Sequence, residues 1–97
     1  MYSDLDPLIH SPLRLAIISM LMTSEKIEFT HIKEETKAAA GNISIQIKIL
    51  EDAGYIKVEK TFRNNYPKTL LSITDKGVKA FEIYVNNLKK YINPVDQ

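Results

Sequence analysis

Two incompatible structures fit the stretch from Ile43 to Leu50, ISIQIKIL, and the rest of the fold depends on which one forms. Apolar and polar residues alternate along it, which is typical of a half-buried β-strand. As a strand, its four isoleucines would share one face and the following EDAG would form a hairpin loop. As a helix, Ile43, Ile47 and Leu50 would form one buried stripe, and Gly54 would supply a left-handed cap. The pattern by itself leaves the two structures nearly even, with local propensity slightly favouring the strand.

The length and composition predict one ordinary domain. With 97 residues, 44% of them hydrophobic, the chain can bury one core, and we predict a single domain over residues 1–97. The absence of cysteine excludes disulfides and thiolate metal sites. The N-terminal residues are acidic where a signal peptide is basic, and no apolar run approaches a membrane span. We therefore expect a cytoplasmic protein without a membrane partner.

The charge of the chain is unevenly distributed. A net charge of +1 gives no general support for a polyanionic partner. Residues 1–36 carry three basic and six acidic side chains, whereas residues 37–69 carry six basic and three acidic ones. The middle third is therefore the basic part of the chain, which is a weak indication of contact with a nucleic acid.

The segments before the alternating stretch predict two helices and a short strand. In SPLRLAIISMLM, Ser11 is the predicted N-cap of a helix and Pro12 suits its first turn. Apolar residues occupy more than one side of this helix, so we expect burial on more than one side. Residues 26–28 favour a short strand, and Thr30 is the predicted cap of a short helix with Ile32 inward.

The segments after it predict a hairpin and a final helix. GYIKVEKTF and KTLLSI are predicted strands joined by RNNYP. Thr74 is the predicted cap of a last helix that ends before Pro94. The residues of the hairpin predicted to point inward are Val58, Phe62, Leu71 and Ile73.

Taken together over residues 5–92, these segments resemble a winged helix-turn-helix transcription regulator, of the small stand-alone kind related to the MarR and ArsR types. The resemblance is strongest in LEDAGYIKVEK, which leads from the recognition helix into the wing, and in SITDKG, which leads from the wing into the last helix. The start LDPLIHSPLRLAI fits as well. The resemblance implies that residues 43–53 are helical, because tertiary burial can override local propensity. The expected fold is mainly α with a small antiparallel β-wing (α+β), with an added C-terminal dimerisation helix at about 74–92.

The resemblance also implies which residues contact double-stranded DNA. The recognition helix at about 41–53 would lie in the major groove, and the wing at about 62–68 would lie on the backbone or in the minor groove. The predicted contacts from the helix are Gly41, Asn42, Ser44, Ile45, Gln46 and Lys48. The predicted contacts from the wing are Arg63, Asn64, Asn65 and Lys68. The alternative interpretations are an ordinary solvated helix face and an ordinary polar turn.

Two apolar residues depart from the family pattern. Ile45 and Ile49 stand on the outward side of the recognition helix, where the family usually carries polar residues. They could instead contact a protein partner. A repurposed winged helix that binds another protein through this face is therefore the second hypothesis.

The last helix carries a long apolar seam at three- and four-residue steps, with lysines around it. We predict that this seam and the first helix pair with a second copy, giving a two-fold homodimer; packing within one chain is the alternative. The dimer would set two recognition helices at half-sites about one helical turn apart. The predicted interface residues are Leu15, Ile18, Phe81, Tyr84, Val85, Leu88, Tyr91 and Ile92.

The sequence contains no catalytic pattern. His10 and His31 are the only histidines, and neither lies in a metal-binding or nucleophile motif. We therefore predict no enzymatic activity, no metal and no cofactor. The expected activity is sequence-specific DNA binding that represses transcription, whereas the operator, the regulated genes and any small-molecule effector are not predicted.

Overall fold

The computed structural model describes residues 2–93. Met1 and residues 94–97, including the Pro94 predicted to follow the last helix, lie outside the described residues. The fold is α+β with one antiparallel sheet, which confirms the predicted fold class. Its elements are α1 (Pro12–Leu21), β1 (Ile27–Glu28), α2 (Phe29–Thr36), α3 (Ala40–Asp52), β2 (Ile56–Arg63), β3 (Tyr66–Ile73) and α4 (Asp75–Ile92).

The alternating stretch is helical and forms most of α3. Ile43 and Leu50 are fully buried and Ile47 is 7% exposed, so a single stripe attaches the helix to the core. Burial of these three side chains outweighs the β-propensity of the stretch. As predicted, Gly54 caps the helix, and its φ of +80° lies in the left-handed region. The Tyr55 amide donates to the Leu50 carbonyl at 3.0 Å, which completes a Schellman cap.

The three strands are ordered β1-β3-β2, and both pairings are antiparallel. β2 and β3 form the wing hairpin, closed by a two-residue turn at Asn64 and Asn65, both with positive φ. Asparagine tolerates this conformation, which matches the right-handed twist of a hairpin. The turn is shorter than the predicted RNNYP loop, because Arg63 already pairs with Tyr66.

The prediction that Phe62 points into the core is wrong. Leu71 is fully buried and Val58 and Ile73 are half-buried, but Phe62 is 75% exposed. From Phe62 to Pro67 every residue of the hairpin is exposed, so this end of the wing extends past the residues that could cover the ring.

The helix caps follow the prediction at one helix and depart from it at two. Thr74 Oγ1 accepts a hydrogen bond from the Gly77 amide at 3.0 Å, as a capping residue does. Ser11 stands at the N-cap position of α1 and its side chain makes no capping bond. Thr30 is not the cap of α2, because that helix already begins at Phe29.

The core draws on all four helices and the sheet, and it removes two residues from the predicted dimer interface. Ile18 is fully buried among the core side chains, and Tyr84 is 2% exposed with its hydroxyl 2.9 Å from His10 Nδ1. Neither side chain is available to a second copy, so both predictions are wrong.

Gly77 allows the start of α4 to approach the sheet, since a Cβ there would lie 2.2 Å from the Tyr55 carbonyl oxygen.

Candidate nucleic-acid interface

The outward face of α3 carries the helix residues that the sequence predicted to contact DNA. At about 100° per residue, the positions roughly opposite the buried stripe are Gly41, Ser44, Ile45 and Lys48, whereas Asn42 and Gln46 lie on the flank toward α1. Nothing lies within 4 Å of a Cβ placed on Gly41, so this first turn is open to an approaching group. The exposed residues of the face are Gly41, Asn42, Ser44, Ile45 and Lys48, and Gln46 at its edge is half-buried.

Gln46 is held by a side chain from another helix. Arg14 of α1 donates from Nη1 to Gln46 Oε1, from Nε to the Leu8 carbonyl at 2.6 Å, and from Nη2 to the Pro7 carbonyl at 3.4 Å. Gln46 Nε2 in turn donates to Asn42 Oδ1 at 3.0 Å. Arg14 therefore ties two side chains of the candidate surface to the body of the protein.

The cation of α3 is paired within its own helix. Lys48 Nζ lies 3.0 Å from Asp52 Oδ1, four residues further along, and both side chains are more than half exposed. The hydrogen bond to Asp52 and its negative charge raise the pKa of Lys48 above its usual value. An exposed pair of this kind is weak, so a phosphate can replace Asp52 as the partner of Lys48.

The cations of the wing lie beside a carboxylate from β1. Lys68 Nζ is 3.4 Å from Glu28 Oε2, and Arg63 Nη1 is 4.0 Å from Glu28 Oε1. The hydrogen bond from Lys68, followed by its charge, lowers the pKa of Glu28 below its usual value. Glu28 thus reduces the positive charge that the wing presents.

The tip of the wing exposes two aromatic rings next to its asparagine turn. Phe62 is 75% exposed and Tyr66 is 72% exposed, and Asn64 and Asn65 lie between them. By the strand register, Phe62 faces the same side as Pro67, whereas Tyr66 faces the same side as Arg63. One side of the wing tip therefore presents apolar surface, and the other combines an aromatic ring with a cation.

The seam of α4 is only partly covered. Three of its residues are half-buried, namely Phe81, Val85 and Leu88, and Ile92 is 66% exposed. Leu15 of α1 is half-buried as well. Ile83, 60% exposed, adds an apolar side chain that the sequence prediction did not include.

The N-terminal segment, residues 2–10, lies on α4 and covers part of its end. The ring centroids of Tyr2 and Tyr91 are 4.7 Å apart, and the Tyr91 hydroxyl donates to the Ser3 carbonyl at 2.7 Å. Asn87 Nδ2 donates to the Asp4 carbonyl at 3.1 Å. Tyr91 is therefore partly occupied by contacts within its own chain, although it is 43% exposed.

Sequence reasoning missed Arg14 and Glu28. Arg14 is 32 residues from Gln46, and Glu28 is 40 residues from Lys68. No local pattern indicates pairs that distant. The sequence predicts a short strand at residues 26–28 but not its pairing with β3, and that pairing is what places Glu28 near the wing.

Among residues 2–93, no group of three or more histidine, cysteine, aspartate or glutamate side chains is arranged to hold a metal ion. In the same part of the chain, no helix has both the length and the apolar character needed to cross a bilayer.

A helix-turn-helix with an open polar face on its second helix, followed by a hairpin with cations near its tip, defines the winged-helix class of DNA-binding proteins. Residues 13–92 match the family described as winged helix DNA-binding domain, and the chain belongs to this family. The chain therefore carries a DNA-binding domain of the winged-helix kind, and its family supports double-stranded DNA as its partner. The family is a DNA-binding one and is typically non-enzymatic, which confirms the prediction that the chain is not an enzyme.

Proteins similar to this chain occur in archaea and bacteria. The chain is 33% identical over 76 residues to an uncharacterized protein of Methanocaldococcus jannaschii, covering 78% of this chain and 83% of the relative. It is similar to the structure of a transcriptional regulator homologue from Pyrococcus horikoshii, with a TM-score of 0.84, 29% identity and coverage of 93% and 89%. Its fold is also similar to that of Bacillus subtilis PadR in complex with operator DNA, with a TM-score of 0.69, 21% identity and coverage of 77% and 47%. These findings confirm the predicted resemblance to small winged-helix regulators.

Proposed function

We propose that this chain binds a specific duplex sequence as a homodimer and represses transcription by occupying its operator. In this proposal residues 1–97 act as one DNA-binding domain, with α3 in the major groove and the wing on the backbone or in the minor groove. The observation that carries the proposal is the oriented pair of amides, exposed Asn42 and half-buried Gln46, at the edge of the open face of α3. Amide side chains held in one orientation are suited to hydrogen bonds with base edges.

The first half of α3 supplies the proposed base contacts. A recognition helix reads bases mainly with residues near its N-terminus. Asn42, Ser44 and Gln46 offer donors and acceptors there, and Lys48 offers a cation to a phosphate once it leaves Asp52. The open backbone at Gly41 is suited to a second phosphate, because unpaired amide groups and the helix dipole favour an anion at a helix N-terminus.

Ile45 has a role in this proposal as an apolar contact. It is 60% exposed on the same face, and an aliphatic side chain in the major groove can pack on a thymine methyl group. The competing hypothesis, a protein partner on this face, has less support. Ile49 is half-buried, so Ile45 stands nearly alone, and one apolar side chain is small beside a stable protein interface.

The wing supplies the proposed backbone contacts through Arg63, Asn64, Asn65 and Lys68. The two asparagines form the exposed turn. The ion pairs that the two cations make with Glu28 are exposed or half-buried. A phosphate can therefore replace Glu28 as their partner. Such contacts raise affinity for any duplex without distinguishing its sequence.

The proposed dimer uses α4. Phe81, Val85, Leu88 and Ile92 follow one another at steps of four, three and four, the spacing of a seam between paired helices. All four keep exposed surface in the isolated chain, and Leu15 and Tyr91 lie at the margin of the proposed contact. Two-fold pairing would place two copies of α3 roughly 34 Å apart, which matches successive major grooves on one side of a duplex.

The experiment that tests this proposal measures binding of the purified protein to a pool of random duplexes, from about 50 to 200 mM salt, together with its mass in solution. We expect a dimer whose affinity falls steeply with salt. Lys48→Ala and Arg63→Ala should each weaken binding, whereas Lys57→Ala, an exposed lysine outside the proposed surface, should not.

Two results would contradict different parts of the proposal. A folded protein that binds no duplex at low salt would exclude DNA recognition through α3 and direct attention to a protein partner at Ile45. A monomeric mass at micromolar concentration, with DNA binding intact, would exclude the dimer and leave the proposed contacts standing.

A further inference from the structure

We propose that Arg14 is a positioning residue for sequence recognition, which orients the Gln46 amide so that α3 presents hydrogen-bond donors to the bases. The inference rests on the proposed placement of α3 in the major groove. It assigns a specificity-determining role to a residue outside the recognition helix and names the kind of base edge that this helix selects.

The geometry around Arg14 allows only one orientation of Gln46. A guanidinium group has donors and no acceptor, so only the carbonyl end of the amide can face it. Gln46 Oε1 accepts from Arg14 Nη1, and Gln46 Nε2 is thereby turned toward Asn42, where it donates to Oδ1 at 3.0 Å. The reverse orientation would bring the two amide hydrogens against the guanidinium.

Arg14 is itself held in place. Its Nε and Nη2 donate to the carbonyl oxygens of Leu8 and Pro7. This backbone is fixed in turn by Asp6, whose carboxylate accepts from the Leu8 amide at 2.9 Å and from the Tyr55 hydroxyl at 2.5 Å. The planar guanidinium of Arg14 is thus bonded to three acceptors from two segments, and it loses little further conformational freedom when DNA binds.

The consequence is a surface biased toward donors. Within residues 2–93, neither the second hydrogen on Gln46 Nε2 nor the Asn42 Nδ2 amino group donates to a protein acceptor. The acceptor atoms of both amides, in contrast, already take part in bonds. Two free donors side by side fit the N7 and O6 acceptors of guanine, whereas a two-point contact with adenine needs one donor and one acceptor. We therefore expect guanine at the base pair that faces Gln46.

The test selects binding sequences from a random duplex pool with the wild-type protein, Arg14→Met and Gln46→Glu, each first checked for folding by thermal unfolding. Methionine keeps the apolar stem of Arg14 and removes its donors. We expect Arg14→Met to accept adenine beside guanine at one position of each half-site, with a loss of discrimination of about 5- to 150-fold. The slope of affinity against salt should not change, because Arg14 contacts no phosphate in this proposal.

Gln46→Glu provides a second, independent variant that keeps the contact to Arg14. The carboxylate still accepts from the guanidinium and no longer donates, so preference at the same position should move to cytosine, whose amino group is a donor. In a Gln46→Ala background, Arg14→Met should have no further effect on base preference, because Arg14 acts through Gln46.

Three outcomes overturn the inference. Unchanged base preference in Arg14→Met and Gln46→Glu would mean that Gln46 does not face a base. Uniformly weaker binding by Arg14→Met, with a salt slope reduced by about 1, would mean that Arg14 contacts a phosphate directly. A changed preference that persists in the Gln46→Ala background would mean that Arg14 reads the base itself. If the wild-type protein selects no sequence at all, the proposed function fails before the role of Arg14 is reached.

Discussion

Helix α3, the proposed recognition helix, and the β2–β3 wing both present polar groups to solvent, and they hold them by different means. On α3, the amide of Gln46 is bonded to Arg14 and Asn42, so neutral groups are held in one orientation. On the wing, Arg63 and Lys68 lie beside the Glu28 carboxylate, so charges are partly neutralised. Base readout needs oriented donors and acceptors, and backbone contact needs positive charge. Each region therefore has the organisation suited to one half of DNA binding.

The largest effect should distinguish how the two regions are attached. Ile43→Ala removes a fully buried side chain under α3, and we expect a loss of about 2–5 kcal/mol in the free energy of unfolding. Phe62→Ala removes a larger side chain from the wing, but that ring is 75% exposed, so the loss should stay below about 1 kcal/mol. Urea denaturation of both variants measures the difference. Equal losses would mean that the wing depends on packing as α3 does.

The next effect concerns Tyr55, which lies between the end of α3 and the start of β2 and is 9% exposed. Burial, followed by the hydrogen bond to Asp6, raises the pKa of the Tyr55 hydroxyl to about 12, above its ordinary 10.0. The folded state thus favours the neutral phenol. The neutral Tyr55 phenol therefore contributes fully to the free energy of unfolding below pH 10. About 2 kcal/mol of this contribution is lost as the pH rises toward 12.

Tyr55→Phe is the matched control for this pH dependence, because lysines also titrate in the same range. Denaturation at pH 9 and pH 11.5 should show a smaller loss of stability in the variant than in the wild type. The same loss in both proteins would mean that Tyr55 titrates as it does in the unfolded chain.

A smaller effect should separate affinity from sequence preference. Arg63→Ala and Lys68→Ala should each weaken binding to any duplex severalfold and lower the salt slope by about 1, because each removes one phosphate contact. The preferred sequence should be unchanged. Binding measured by fluorescence anisotropy in a salt series, with Lys57→Ala as control, tests this expectation. A changed base preference in either variant would mean that the wing reads bases.

The smallest effect should come from Glu28→Gln. The variant keeps the size of the side chain and removes its charge, so Lys68 and Arg63 become fully available to phosphates. We expect binding at low salt to strengthen by about two- to fivefold. In a Lys68→Ala background the gain should shrink. A gain of the same size in both backgrounds would mean that Glu28 acts through general repulsion of DNA.

The helix at α3 shows where sequence reasoning stops for this fold. The alternation from Ile43 to Leu50 is compatible with a strand, and the family resemblance, not the pattern, identified the helix. The buried stripe then follows correctly from helical spacing, and the left-handed cap follows from the glycine after the last turn, Gly54. Phe62 was assigned to the core because strand alternation does not reveal how far a hairpin extends beyond the body.

For the candidate site, the sequence predicts which helix and which hairpin form it, but not the contacts that its side chains make. Helical and strand positions indicate which residues face outward on α3 and at the wing tip. They do not indicate the partners of those residues, because Arg14 and Glu28 come from other elements and are brought in by packing. The predictions that Ile18 and Tyr84 lie at the dimer interface are wrong because periodicity marks an apolar seam and does not distinguish the side buried in its own chain from the side left open.

The central claim is that α3 selects the sequence while the wing supplies affinity, and one ratio tests it most directly. The measurement is the affinity for a selected duplex divided by the affinity for a random duplex at one salt concentration, for the wild type, Gln46→Ala and Arg63→Ala. We predict that Gln46→Ala lowers this ratio by about 5- to 150-fold, and that Arg63→Ala weakens both affinities and leaves the ratio unchanged. A ratio that falls in Arg63→Ala and is retained in Gln46→Ala would contradict the claim.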